Sequence, residues 1–291
     1  MSAPLPSMTS VSDVPMSTVA FGVSADGFLV AQLGDVAYAM LPAGNGRHHI
    51  ASASRLKCPL DQARAKHFCS RHGLIQDEAA FWRWMTEEAE HRRELKALAR
   101  RSEHSDLYTP WGPSQCATVY AEGVVSHSTA SHGGFQLSKD RNAVVHKRLR
   151  SEGGWYEEDC GWAIVAITFP HLFTSYERRC AERTMKDYWP DEWEAIFGTI
   201  LGPGDSREKD RRSFEADNAD RWIVISAIRS RYHEGLVECL ATLGGRREPR
   251  AGHRRFLVPS NEYVSGRFGF VIDPDRHAVY GGPSSFLGWA S

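Results

Sequence analysis

Between Val19 and Leu41 apolar residues recur in short runs with strand-like patterning. Phe21-Gly22-Val23 and Phe28-Leu29-Val30 flank Ser24-Ala25-Asp26-Gly27, a turn by composition, and Gly34-Asp35 precedes a further run, Val36 to Leu41. The pattern predicts a small antiparallel meander. After a Gly44-Asn45-Gly46 loop, Pro59 opens a predicted helix that Gly73 closes, because proline suits a first helical position and glycine the position past the end. A second helix is predicted from Gln76-Asp77 to about Arg101. Phe81, Trp82, Trp84 and Met85 mark its apolar start, and Leu95 and Leu98 are the core positions of a charged second half. Its basic end (Arg92, Arg93, Lys96, Arg100, Arg101) reads as a solvated face, since glutamates interrupt the positive charge.

The middle of the chain changes pace. Strands are predicted at Ala117 to Tyr120 and Gly123 to His127, followed by a Ser-Thr-Ala-Ser-His-Gly-Gly loop over 128–134 and by Phe135-Gln136-Leu137. Ser138 has the position of an N-cap for a helix through Arg150, and Gly153-Gly154 break it. Glu157-Glu158-Asp159 then read as the acidic first turn of a helix that stops before Pro170, with two more helices after it, the second beginning at Pro190-Asp191. Gly202 to Arg212 is linker-like in composition. Beyond it, Trp222 to Ile228, Leu236 to Leu243, Arg255 to Val258 and Phe268 to Asp273 have strand patterning. The expected fold class is therefore α+β, with short antiparallel sheets flanked by helices. The expected organisation is a tail (1–17), an N-terminal α+β unit (18–103), a central domain (104–200), a linker (201–213) and a C-terminal antiparallel β unit (214–291).

Composition narrows the function classes. With 42% hydrophobic and 24% charged residues, the chain has ordinary globular usage and enough length for a real core. A formal net charge of −1 removes the global basic field that non-specific nucleic-acid binding needs, so that partner is left to local basic segments. No apolar run is long enough for a membrane span, and the first residues lack a basic and apolar leader, so the expected place is the cytoplasm and no membrane partner is expected. There the six cysteines are expected as free thiols. No phosphate loop, dinucleotide fingerprint or nucleophile elbow is present in the sequence, so no cofactor is expected.

Candidate chemistry concentrates between Thr109 and Pro170. His132 lies on a loop before Gly133-Gly134, where paired glycines let the backbone approach another group closely. Cys160, read as lying in the first turn of its helix, would gain thiolate character from the dipole, against the three carboxylates before it. His132 with Cys160, and Gln115 or backbone N–H groups as oxyanion donors, is thus the candidate catalytic set of a thiol-dependent hydrolase or transferase. The bland reading of Cys160, between an acidic turn and Gly161-Trp162, is a packed thiol. His127, His132, Glu157 and Asp159 are weak metal candidates that would suit a metal-assisted hydrolase, but they lack strong ligand spacing. Cys58, His67, Cys69 and His72 invite a zinc reading that the missing second close pair removes. Arg246, Arg247, Arg250, Arg254 and Arg255 are the candidate contacts for an anionic partner.

Trp111-Gly112-Pro113-Ser114-Gln115, Ser128-Thr129-Ala130-Ser131-His132-Gly133-Gly134-Phe135, Arg141 and Trp155-Tyr156-Glu157-Glu158-Asp159-Cys160 resemble an uncharacterised bacterial family, domain of unknown function seven-thousand-and-seven. The resemblance covers roughly the middle third, Thr109 to Phe197. Arg255-Phe256-Leu257-Val258-Pro259 and Gly269-Phe270-Val271-Ile272-Asp273 also look typical of such proteins. The resemblance implies a genetic context, carriage by plasmids, phages or integrated elements, and assigns no catalytic residue. The expected function is that of an accessory protein of a mobile genetic element. In that role it would bind and antagonise an unknown host protein or complex of defence or replication; the alternative is the enzyme outlined above.

Overall fold

The computed structural model describes residues 19–248 and 252–286; the run 1–17, expected as a tail, and Arg250 lie outside the described residues. The chain divides into two compact units, Met1–Glu182 and Arg183–Ser291. The fold class is α+β, as the patterning predicts, and all the paired strands are antiparallel. Among the described residues no helix is long and apolar enough to cross a membrane.

The first unit opens with a sheet of β1 (Ala20–Val23), β2 (Leu29–Leu33), β3 (Val36–Gly44), β4 (Arg47–Ser54) and β5 (Ser70–Ile75), in chain order. The expected meander is there and runs two strands further. Asn45 and Gly46, at φ 51° and 69°, form the tight turn of the β3–β4 hairpin rather than an open loop. The two-residue period buries both faces of this sheet. Val30, Ala37, Ala39, Leu41 and Ala51 pack with Ala63 and Phe68 on one side. On the other, Ala31, Leu33, Tyr38, Met40 and Ile50 meet Phe81 and Met85 of α1 (Glu78–Leu98). Asp77 caps α1 by accepting the Ala80 N–H at 2.7 Å, as its sequence position suggests.

The helix expected from Pro59 to Gly73 does not form. Two short 3-10 turns, Leu60–Gln62 and Ala65–His67, lead instead into β5. The physical reason is a distant partner. Asp26 takes the Ala65 N–H at 2.9 Å and the Arg64 guanidinium at 3.0 Å, holding the segment extended at Arg64 so that Ala63 and Phe68 cover the sheet.

Further along come β6 (Arg101–Glu103), the two-residue strands β7 (Tyr108–Thr109) and β8 (Gly112–Pro113), β9 (Cys116–Ala121), β10 (Val124–Ser128), β11 (Gly133–Leu137), α2 (Lys139–Val144), β12 (Trp155–Glu157) and α3 (Trp162–Thr168). β12, β11, β10, β9 and β6 form a second sheet in that order, and β7 pairs with β8. Ser138 caps α2 through the Arg141 N–H at 3.3 Å, but the helix ends well short of Arg150. Val145 is fully buried in extended geometry, and the Arg150 guanidinium binds the carbonyls of Ala143 and Val145. A second correction concerns Trp155–Glu157, which is a strand, so Glu157 ends β12 rather than opening a helix.

α4 (Ser175–Tyr188) runs across the division of the chain. The second unit holds α5 (Pro190–Phe197) and α6 (Arg207–Asp217), so the second half of the run expected as a linker is helical, capped by Ser206. Its sheet is β13 (Trp222–Arg229), β14 (Leu236–Leu243), β15 (His253–Pro259) and β16 (Ala278–Val279). Phe268 to Asp273, expected as a strand, contributes only a bridge between Val271 and Ile223 and single backbone bonds to β13.

Candidate functional site

The sequence motifs of the middle stretch meet at one end of the second sheet of the first unit. β10, β11 and β12 pair so that Gly134 lies opposite both His127 and Glu157. The two glycines are needed for space. A Cβ on Gly133 would stand 2.6 Å from the His127 carbonyl oxygen and 2.7 Å from Glu158 Oε2. A Cβ on Gly134 would stand 2.4 Å from Trp111 Cη2 and 2.4 Å from the Tyr156 carbonyl oxygen. Trp111 lies across the strand and meets Trp155 edge-on at 5.7 Å. Thr129 closes the loop before the glycines: its Oγ1 donates to the His132 carbonyl at 2.6 Å, and the His132 N–H returns to that oxygen at 3.2 Å.

A polar chain ties the same strands to α2. Tyr156 Oη donates to Asn142 Oδ1 at 2.6 Å, and Asn142 Nδ2 donates to the Ser151 carbonyl at 2.7 Å, with Tyr156 and Asn142 both buried. Each buried polar group here has a partner, so the network fixes one geometry.

The candidate residues separate within this frame. Glu157 Oε1 accepts the N–H groups of Cys160 and Gly161 at 2.9 and 2.7 Å, and the Cys160 thiol at 2.7 Å. Burial alone would raise the Glu157 carboxyl; these donors, with the Asp159 N–H, hold it below the ordinary carboxylate range. Cys160 is the converse. Burial, the bond to Glu157 and the negative charge of Glu157 and Asp159 push its thiol up to about 12. The thiolate expected from a helix dipole is thereby reversed: Cys160 precedes α3, and its S–H is a hydrogen-bond donor to a charged carboxylate.

His132 is exposed and faces Glu158 Oε1 at 3.8 Å. Between described residues His132 and Cys160 there is no hydrogen bond, so the expected pair is two separate groups. Gln115 is exposed; its backbone N–H joins Ser128 O at 2.8 Å. His127 is buried, with Nδ1 3.1 Å from Ser114 Oγ and its ring 5.8 Å from Trp155. Burial lowers its pKa, keeping the imidazole neutral. Asp159 is exposed, and among the described residues no three His, Cys, Asp or Glu side chains are grouped to hold a metal ion. His127, His132, Glu157 and Asp159 are therefore not brought together.

The arginines of the basic run also differ in kind. Arg255 is nearly buried and pairs with the fully buried Glu238 at 3.0 Å, so it is committed inside the second unit. Arg254 is exposed, with its guanidinium 4.8 Å from the Trp222 ring, and Arg246 and Arg247 are exposed as well. Arg250 lies outside the described residues.

One contact forms within the Cys58, His67, Cys69 and His72 set that the sequence reading puts aside, and a second grouping escapes that reading. Cys58 Sγ lies 3.8 Å from His67 Nδ1, which also accepts the Arg64 N–H at 3.2 Å, a contact made by the 3-10 turns that replaced the expected helix. The other is a cleft lined by His72, Trp84, Glu87, Glu88, His91 and Tyr176. Its signal was visible as Trp84, Glu87, Glu88 and His91 on one helical face, but Trp84 and Glu88 border the buried Phe81 and Met85, so the apolar half of α1 reads as core alone.

No curated protein and no solved structure matches the chain. The family model of a domain of unknown function (DUF7007) matches residues 104–219, which places an uncharacterised domain, containing the whole of this glycine-and-glutamate motif, in the middle of the chain.

Proposed function

We propose that the chain is a binding protein in which the SHGG and WYEEDC motifs are a structural lock rather than a catalytic centre. One observation carries this reading: the Cys160 thiol is spent as a donor to Glu157, and the residues around it hold strands together. A nucleophile needs a base that withdraws its proton. Here the neighbouring group is a carboxylate held in its charged form, which raises the cost of making a second negative charge beside it. Gly133, Gly134, Thr129 and Tyr156 are all occupied with packing and backbone bonds.

In its finer form the proposal is an accessory protein of a mobile genetic element, acting in the cytoplasm by binding and antagonising a host defence or replication complex. That part rests on the resemblance of the middle motifs. The test uses the phenotype that expression of the gene confers, with His132→Ala, Cys160→Ala and the double variant compared with wild type. The binding reading predicts full phenotype in all three, with the thermal midpoint unchanged in His132→Ala and somewhat lowered in the two variants that lose the Cys160 donor to Glu157. Loss in a variant that keeps its midpoint would restore the enzyme alternative.

A further inference from the structure

Outside the motif, the first unit holds a cleft of about 270 Å³ lined by His72, Trp84, Glu87, Glu88, His91 and Tyr176. Trp84, Glu87, Glu88 and His91 stand at i, i+3, i+4 and i+7 of α1, one continuous helical face. His72 comes from β5 and Tyr176 from the first turn of α4. The imidazoles are held in place. His72 Nε2 lies 2.7 Å from Ser52 Oγ with its ring 5.8 Å from Trp84, and His91 Nδ1 lies 2.8 Å from Thr174 Oγ1 with its ring 5.1 Å from Tyr176. Each bond uses one ring nitrogen and leaves the second available.

The charge of the lining is one-sided. Glu88 accepts Arg92 Nε at 2.7 Å and the Tyr38 hydroxyl at 3.3 Å, and Glu87 accepts the Arg179 guanidinium. Both carboxylates line the cleft, whereas neither guanidinium does, and no lysine or arginine is among the lining residues. What faces the space is carboxylate, imidazole and electron-rich ring. Such a lining suits a positively charged head, which gains from the aromatic rings as well as from a carboxylate. The volume is below the roughly 300–1,000 Å³ of sites for drug-sized ligands, which fits a single ammonium or guanidinium head with a short stem. Arg179 and Glu87 form an exposed pair, and exposed pairs contribute little, so an incoming cation displaces Arg179 at small cost.

We propose that this cleft binds an organic cation, an amine or guanidine head resting against Trp84 and Tyr176 with Glu87 as its counter-charge. The site stands apart from the motif above, and its assignment does not depend on the binding reading. Calorimetric titration of the full chain tests it with spermidine as a free polyamine, N-acetyl-arginine amide as a side-chain head, and N-acetyl-glutamine amide as a neutral control. Saturable single-site binding of either cation, with none of the control, is expected. Spermidine alone would assign a free amine, and the arginine derivative alone a basic side chain. Glu87→Gln and Tyr176→Ala should each weaken binding about tenfold, the weight of one charge-assisted contact, while Glu90→Gln, an exposed carboxylate on the same helix paired with Arg93, leaves it unchanged. The proposal is overturned if neither cation saturates or if the neutral control binds as well. It is equally overturned if Glu87→Gln and Tyr176→Ala, with wild-type midpoints, bind like wild type, or if Glu90→Gln weakens binding as much as they do.

Discussion

Gly134→Ala lowers the thermal midpoint of the protein by roughly 4–12 °C, because one added carbon has nowhere to go. Its Cβ would meet the Trp111 ring and the Tyr156 carbonyl, each at 2.4 Å, well inside van der Waals contact. The backbone is extended at this residue, so alanine meets no conformational penalty of its own; the cost is overpacking. The carbonyl belongs to the paired strand β12 and cannot yield without breaking the β11–β12 ladder, and Trp111 can yield only by leaving Trp155. Overpacking of this kind costs about 2–3 kcal/mol, and each kcal/mol moves the midpoint of a unit this size by about 2–4 °C. Differential scanning calorimetry measures the shift. Gly153→Ala is the contrast, since the nearest atom to its Cβ is in the Trp155 side chain at 3.3 Å, and it should change the midpoint by a degree or so at most.

The second large effect belongs to the other unit. Glu238 is fully buried on β14, where its carboxylate meets the Arg255 guanidinium at 3.0 Å, the Ser284 hydroxyl at 2.8 Å and the Ser285 N–H at 2.7 Å. Arg255 reaches on to the Gly282 carbonyl at 2.7 Å, so the pair fastens residues 282–285 to the sheet. Glu238→Ala strands a buried guanidinium and should cost about 3–5 kcal/mol, read as a lower urea midpoint. Glu238→Leu combined with Arg255→Met, which removes both charges, should recover most of that loss. The pair also sets a pH dependence. Burial raises the Glu238 carboxyl and its donors more than reverse that, so the folded value lies below the unfolded one. Its contribution is then complete above the ordinary carboxylate pKa and is lost as pH falls through that value towards the lower folded one. Urea midpoints of wild type should therefore fall more steeply on acidification than those of Glu238→Gln, which has no carboxylate to protonate.

The elements legible in sequence are those whose reasons are local. The β1–β3 alternation, the Asp77 and Ser138 caps and the β9–β11 and β13–β15 runs each follow from a few adjacent residues. The segment 59–73 is decided elsewhere: Asp26 captures the Ala65 N–H from a turn far back in the chain, and no reading of Pro59 and Gly73 contains that partner. Likewise β12 exists because Gly134 lets it approach β11, which turned an expected acidic helix start into a strand end. For the candidate site, sequence identified the right neighbourhood and missed the protonation state. In sequence the acidic run reads as a helix start whose carboxylates oppose the dipole's pull towards a thiolate, which leaves the balance open. In the fold the Glu157 side chain turns back onto Cys160 Sγ and the following N–H groups, and that orientation fixes the thiol as a donor.

The lock is tested most directly by the ionisation of Cys160 in the folded protein. Alkylation by iodoacetamide is followed as a function of pH, with peptide-resolved mass spectrometry separating Cys160 from the exposed Cys69 and Cys116. The account predicts that Cys160 stays unreacted at neutral pH while the exposed thiols are labelled, and that its thiolate forms only towards pH 12 or on unfolding. A Cys160 that is labelled fastest of all at pH 7, with an apparent pKa below that of an ordinary thiol, would contradict it.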